Sequence, residues 1–255
     1  MMKKVLLTHY IIICLTLLLF AFQLSCDVHV NNPDLVIGIG ASFQKQGKYE
    51  EALRHFDMAI KSDPNNALAW TYKGLALLQL NRFQEALTAC DKAIELDSKN
   101  STAWVNKGSA FRMLENIDEA VKAFDKAIEI DPKNADAWYN KGDTLGQSNR
   151  FDEALENFNK AIEINPNDFG AWIGKGTSLG MLERYEEALN AFDRAIKINP
   201  KYAMAWSNKG SALFKLNRFN EAIASFNKAV QLNQSLEKPL RPRINEAKEK
   251  TKENK

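Results

Sequence analysis

The chain has 255 residues, of which 45% are hydrophobic and 26% are charged, which gives enough apolar content for a folded core and too much for a disordered chain. Three cysteines are too few for a disulfide framework, and twelve glycines without a three-residue period exclude a collagen-like triple helix. Residues 26–255 carry 32 basic and 32 acidic side chains, and this balance disfavours a nucleic-acid partner because affinity for a polyanion depends on neutralising its phosphates.

Residues 1–25 have the pattern of a signal peptide or a membrane anchor. A basic start at Lys3 and Lys4 precedes a largely apolar run over positions 10–22, whose length is typical of the core of a signal peptide. Counted over positions 5–24, the segment is also long enough to span a bilayer as a helix. Both alternatives send the rest of the chain across a membrane and keep the two lysines on the cytoplasmic side.

The end of this leader reads Leu24-Ser25-Cys26 and resembles the lipobox of bacterial and some archaeal lipoproteins, in which the cysteine is lipidated and becomes the new N-terminus. Gln23 stands where such boxes usually have leucine, and small residues are not found together at the two positions that an ordinary signal peptidase requires. Three forms stay open: a lipoprotein held by Cys26, an uncleaved anchor, and a released secreted protein. We expect residues 26–32 to be a linker and the protein to be membrane-associated on the non-cytoplasmic side.

Residues 33–236 divide into six units of 34 residues, and a period between 20 and 50 residues marks repeated supersecondary units. The units are 33–66, 67–100, 101–134, 135–168, 169–202 and 203–236. Position 4 holds all five tryptophans of the chain: Trp70, Trp104, Trp138, Trp172 and Trp206. Position 8 is glycine in every unit, positions 20 and 27 are alanine, and position 24 is phenylalanine except at Cys90.

Each unit reads as two helices. Apolar residues recur at steps of three and four before and after a break near Asn149, as on one face of a helix. A glycine inside a helix costs about 1 kcal/mol relative to alanine, so its recurrence predicts close packing of two helices, with Gly142 against Ala154 and with Trp138 and Phe158 filling the space around them. Proline near the end of four units terminates the second helix. Such pairs bury both faces only by stacking on neighbours.

The combination of tryptophan, glycine, alanine, phenylalanine and a closing proline at a 34-residue period resembles the tetratricopeptide repeat family over residues 33–236. The resemblance implies an all-α, right-handed superhelical solenoid of antiparallel helix pairs. Three departures are lysine instead of leucine at position 7, Val36 instead of the first tryptophan, and Ser98 and Gln234 instead of proline. We predict that the unit containing Val36 is an N-terminal cap.

In the family that the repeats resemble, the first helices line a concave groove that binds a peptide or a helix of a partner protein. Mapped onto this chain, that groove predicts a surface that is apolar towards the N-terminus, at Ile37, Leu68 and Val105, and bare at Gly170, Gly174 and Gly180. The predicted groove residues are Tyr72, Asn106, Arg112, Tyr139, Asn140, Asp143, Asn208 and Phe214. The asparagines at position 6 suit a peptide backbone because an amide both donates and accepts hydrogen bonds.

A chaperone carboxylate clamp is not expected, because positions 2, 5 and 6 hold no basic residue and Lys215 is isolated. Catalysis, a metal site and a cofactor are not expected either, because the three histidines are scattered and Cys90 takes a core position.

The alternatives to a peptide-binding scaffold are a self-associating structural protein, paired through Met204, Phe214 and the C-terminal region, and an accessory subunit that positions a separate enzyme.

Residues 237–255 are predicted to form a basic C-terminal capping helix or tail. We expect the helix to begin near Arg243, because Pro239 and Pro242 interrupt the preceding residues. It would cover the last apolar face of the array.

Overall fold

In the computed structural model, which describes residues 32–253, the chain is all-α over that range. The predicted leader, Cys26 and most of the linker lie outside the described residues. The helices are α1 Pro33–Lys45, α2 Tyr49–Ser62, α3 Ala67–Gln79, α4 Phe83–Leu96, α5 Ser101–Met113, α6 Ile117–Ile130, α7 Ala135–Gln147, α8 Phe151–Ile164, α9 Phe169–Met181, α10 Tyr185–Ile198, α11 Ala203–Lys215, α12 Phe219–Leu232 and α13 Glu237–Glu253.

The chain divides into two compact units, the first ending at Ala110 and the second beginning at Phe111. In the first unit, α1 packs on α2, α2 on α3 and α3 on α4. In the second unit, each helix from α6 to α13 packs on the next, and α9 also contacts α7 and α11. The short connections between consecutive helices make each pair antiparallel, so the prediction of an all-α array of packed helix pairs is confirmed.

Glycine at position 8 allows the two helices of a pair to approach closely. A β-carbon built on Gly176 lies 2.6 Å from Cε1 of Phe192, and one built on Gly210 lies 2.6 Å from the ring of Phe226. At Gly142 the corresponding neighbours are the ring of Phe158 and the carbonyl oxygen of Ala154. The predicted packing of glycine against alanine and phenylalanine is therefore confirmed, and the ring at position 24 occupies the space that a side chain at position 8 would need.

The tryptophans differ from the prediction that they fill the space around the glycines. Their side chains are only half-buried, and each indole Nε1–H donates to a backbone carbonyl of the loop that ends the preceding unit. For Trp138 and the carbonyl of Pro132 the distance is 2.9 Å, and Trp172 donates to Pro166 over 3.0 Å. The 34-residue spacing of tryptophan and proline therefore reflects one repeated contact that fixes each loop against the next first helix.

The turn inside each unit contains one residue in the left-handed region. These residues stand at position 15 of successive units: Gly47, Asn81, Glu115, Asn149, Glu183 and Asn217, with φ between 57° and 75°. The residue that follows closes the turn, as when the amide of Arg150 donates to the carbonyl of Leu145 over 2.9 Å. This geometry resembles the left-handed caps that terminate many helices.

The C-terminal helix corrects the expected start near Arg243, because α13 already begins at Glu237. A proline costs no helical hydrogen bond in the first turn, where the amide groups have no partner within the helix, and this applies to Pro239. Pro242 lies inside the helix, but the helix buries Leu240 and packs Ile244 on the last pair, in a cluster that contains Phe226. The packing of this apolar face outweighs the interruption.

The role of position 8 can be tested on α9, which has one crowded and one open glycine. We expect Gly176→Ala to destabilise the protein by about 1–3 kcal/mol, because Phe192 must leave its site. Gly180→Ala is the matched control, since no atom lies within 4 Å of its built β-carbon, and it should stabilise the protein by about 0.5–1 kcal/mol through helix propensity. Urea denaturation followed by circular dichroism measures both, and equal effects would contradict the packing argument.

Candidate functional site

A cavity of about 370 Å³ opens on the face of the first helices, between α7 and α9. Tyr139 and Asp143 of α7 line one side of it, and Phe169 and Gly174 of α9 line the other, with Phe158 of α8 behind them. Its volume lies near the lower end of the range of ligand pockets. A cavity of this size accommodates one or two side chains of a peptide.

Aromatic rings form the walls of this cavity. The rings of Tyr139 and Phe158 lie 6.0 Å apart between centroids, and the rings of Phe169 and Tyr202 meet edge to face at 5.1 Å. Such pairs bury much apolar area and hold each other in fixed orientations. The walls therefore favour an apolar or aromatic side chain, and the phenol hydroxyls add hydrogen-bonding groups.

Two glycines of α9 line this cavity and lie against its aromatic rings. A β-carbon on Gly174 lies 2.3 Å from the ring of Phe158, and one on Gly170 lies 3.3 Å from the ring of Tyr139. Any side chain at Gly174 would displace the ring of Phe158, so glycine at this position lets α9 pack directly against that buried ring at the back of the cavity. Of the bare stretch predicted from the sequence, Gly170 and Gly174 line this cavity, whereas Gly180 lines a second one.

The carboxylate of Asp143 accepts hydrogen bonds from two neighbouring side chains. Arg112 Nη1 donates to its Oδ2 over 2.5 Å, and Gln147 Nε2 donates to the same oxygen over 3.0 Å. The Arg112 and Asp143 side chains are 20% and 33% exposed, so the ion pair is partly shielded from water. Burial raises the pKa of Tyr139, and the nearby carboxylate of Asp143 raises it further. Tyr139 is therefore a neutral hydrogen-bonding group beside a fixed negative charge.

The structure brings together three of the eight predicted groove residues, Arg112, Tyr139 and Asp143, at this cavity or its edge. Asn140 faces its own helix, where its amide donates to the carbonyl of Asp136 over 2.8 Å. Asn208 lines a second cavity of about 440 Å³, between α9, α11 and α13.

The remaining predicted groove residues make internal contacts. Asn106 is buried, and its amide donates to the carbonyl of Thr71 over 3.3 Å. Tyr72 stacks on Phe56 with centroids 5.4 Å apart, and Phe214 meets Phe219 edge to face at 5.3 Å. That these residues contact a partner stays a prediction.

Several pocket residues were missed by the sequence analysis, namely Phe158, Phe169 and Tyr202. Phe158 stands at a core position of its repeat, and the sequence signal for its place behind the cavity is the glycine at position 6 of the next unit, where three other units have asparagine. The expected apolar groove in the first unit also differs from the structure, because Ile37 is buried in the core.

Cys90 is a buried core residue, as its position in the repeat predicts. Its sulfur lies 2.8 Å from a β-carbon built on Gly74. Burial raises its pKa to about 12, and the negative charge of Asp91 adds to this effect. The thiol is therefore protonated at neutral pH and unsuited to nucleophilic attack.

Among residues 32–253, no group of three or more histidine, cysteine or acidic side chains is arranged to hold a metal ion.

The described helices are also too short or too polar to cross a bilayer.

Comparison with known protein families now identifies the repeat. Profiles described as tetratricopeptide repeat match residues 38–101, 173–236 and 135–168, and one described as TPR repeat matches residues 108–149. The chain therefore belongs to the tetratricopeptide repeat family. A comparison with curated proteins gave no match.

Solved structures of other repeat proteins are similar. YrrB, described as a TPR protein with an unusual peptide-binding site, is 28% identical, with a TM-score of 0.59 over 70% of this chain and 92% of its own. The MamA protein is 25% identical, with a TM-score of 0.55 over 69% and 95%. PilF of Pseudomonas aeruginosa, at 19% identity and a TM-score of 0.71 over 79% and 92%, shares the fold. Family and fold are typical of non-catalytic protein-interaction scaffolds.

The charge beside Tyr139 can be tested by titration. We expect Asp143→Asn to lower the pKa of Tyr139, because a nearby carboxylate disfavours the phenolate. The pKa should stay above that of a free tyrosine, since burial is the larger cause of the shift. Carbon-detected NMR of labelled tyrosine measures this change, with Asp136→Asn as the control. An unchanged pKa would show that Asp143 does not act on the phenol.

Proposed function

We propose that the chain is a membrane-tethered scaffold that binds a peptide segment of a partner protein on the face of its first helices. The observation that carries this proposal is the aromatic cavity between α7 and α9. It lies on the helix face that the family resemblance assigns to ligand binding, and Gly170 and Gly174, which have no side chains, line it.

The proposed ligand contact is an anchor. An apolar or aromatic side chain of the peptide enters between Tyr139 and Phe169, and its backbone runs along α7 and α9. Deeply buried aromatic contacts of this kind dominate the energy of many interfaces. The description of YrrB as a peptide-binding TPR protein supports the same class of ligand.

The neighbouring polar groups give the anchor its orientation. The carboxylate of Asp143 is paired with Arg112 on one side, and the phenol of Tyr139 presents a hydroxyl at the rim. A peptide N–H donates to the carboxylate, and a peptide carbonyl accepts from the phenol. Both groups are held in place before the ligand arrives, which lowers the entropy cost of binding.

Blocking the cavity tests this function. We propose to select peptides from a phage-displayed random library on the full-length protein and to measure their dissociation constants by calorimetry. Gly146 lines the cavity, and a β-carbon there meets only Ala154 at 3.8 Å. Gly146→Leu places a bulky side chain at the cavity wall and should weaken binding by about tenfold or more, and an unchanged circular dichroism spectrum and urea midpoint verify that the helix pair is intact.

The matched control is Gly38→Leu, because Gly38 occupies an exposed helical position of α1 with no atom within 4 Å of its built β-carbon. This variant should bind the selected peptides as the unchanged protein does. If no peptides are enriched, or if both variants bind equally well, the cavity is not the binding site.

The tether belongs to residues outside the described range, and the lipobox-like sequence supports Cys26 as the lipidated residue. We expect radiolabelled palmitate to label the full-length protein and the Cys14→Ala control, whereas Cys26→Ala should stay unlabelled. An unlabelled full-length protein that remains in the membrane fraction would favour the uncleaved anchor. Release of the protein into the medium would favour the secreted form.

A further inference from the structure

The lysine at position 7 forms the same ion pair in four of the five units that contain it. Its Nζ lies 2.6 or 2.7 Å from the carboxylate of an aspartate at position 25 of the preceding unit, on the second helix of that unit. The pairs are Lys73 with Asp57, Lys107 with Asp91, Lys141 with Asp125, and Lys209 with Asp193. We call these contacts the repeat ion pairs.

Lys175 is the exception. Asn159 stands at position 25 of the unit before it, where the other four pairs have aspartate. A neutral amide replaces the carboxylate, and Lys175 forms no salt bridge in the described part of the chain. Its Nζ lies 5.3 Å from the ring centroid of Trp172, much as in the paired units. The lysine therefore keeps the position of its counterparts but has lost their counter-ion.

Three cationic side chains that form no salt bridge within residues 32–253 lie together on the surface next to the position of the missing aspartate. A shallow cavity of about 700 Å³ between α9 and α10 is lined by Trp172, Lys175, Arg194 and Lys197, together with two acidic side chains. Those acids are already neutralised: Glu187 pairs with Arg184 over 2.7 Å, and Asp193 pairs with Lys209 over 2.6 Å. The lining therefore has an excess of positive charge, although the carboxylate of Glu187 also attracts the Lys175 amine.

This surface is distinct from the proposed peptide-binding face. Successive residues of a helix are separated by about 100° around its axis. Trp172, at position 4 of its unit, therefore lies about 160° around α9 from Gly170 and Gly174, and Lys175, at position 7, lies about 140° from Gly170 and about 100° from Gly174. A partner could contact both surfaces of this helix at the same time.

Lys175 is half-buried, and burial lowers the pKa of its amine, while the negative charge of Glu187 acts in the opposite direction. A carboxylate placed at this position would interact with the amine more strongly than at a fully exposed site. The indole of Trp172 supplies an apolar wall for the methylene groups of an incoming acidic side chain.

We infer that the cavity around Lys175 is a second interaction site, which binds an aspartate or glutamate side chain of a partner protein in the place of the aspartate missing from the repeat. The carboxylate pairs with Lys175, and Arg194 and Lys197 attract further acidic residues of the same segment. The site completes the repeat ion pairs with a group supplied by another molecule.

Lysine footprinting tests this inference without knowledge of the natural partner. Full-length protein in detergent micelles is acylated with limiting acetic anhydride in the presence of a hexaglutamate peptide or of hexaglutamine, and each lysine is quantified by mass spectrometry. We expect hexaglutamate to slow acylation of Lys175 by about threefold relative to hexaglutamine, a size typical of an exposed ion pair. Lysines of the repeat ion pairs should change less.

Asn159→Asp is the decisive variant, because it restores the internal carboxylate and should abolish the protection of Lys175. Asn116→Asp, an exposed position outside this cavity with the same change in charge, should leave the protection intact. Arg194→Gln with Lys197→Gln should weaken it. Equal protection by hexaglutamine, protection of all five lysines to the same degree, or protection that persists in Asn159→Asp would overturn the inference.

Discussion

Contact between the glycine at position 8 and the side chain at position 24, an aromatic ring in every unit except that of Cys90, sets the distance between paired helices, and the rest of the structure depends on it. Where the side chain at position 24 is phenylalanine, as at Phe192 and Phe226, a β-carbon built on the facing glycine would lie only 2.6 Å from the ring. The helices can approach this closely only because position 8 has no side chain. Their separation then sets the spacing at which the next pair packs, and the indole hydrogen bonds fix the loop between pairs.

Strict repetition makes the exceptions informative. In most units the residue at position 6 of the first helix has a side chain, but at Gly174 its absence lets the buried ring of Phe158 of the preceding pair pack against α9 at the back of the cavity. A residue that serves only the core elsewhere thus becomes part of a pocket wall. Asn159 is the corresponding exception at the second site. This single change from the repeat pattern leaves Lys175 without the aspartate that pairs with its counterparts. Both candidate sites arise where the pattern is broken.

The helix pairs were predictable because periodic apolar residues, glycine and proline determine them locally. Two other features could not be predicted from the local sequence. The start of α13 depends on burial of Leu240 against the last helix pair, which compensates for prolines that local rules treat as interruptions. Asn106 was placed on the groove by its position in the repeat, but its amide binds the carbonyl of Thr71. The repeat ion pairs could have been found from the sequence, since aspartate at position 25 of one unit precedes lysine at position 7 of the next unit four times.

The position of both candidate sites on α9 has a physical consequence for specificity. The helix has 13 residues, so both surfaces belong to one rigid element, and neither requires a change in the other to bind. An apolar anchor gains free energy from burial and is little affected by salt, whereas pairing with Lys175 weakens as ionic strength rises. A partner that contacts both surfaces would therefore bind with an affinity that salt reduces only in part. A partner that uses the aromatic cavity alone would be nearly insensitive to salt, so the two modes are distinguishable even before the partner is identified.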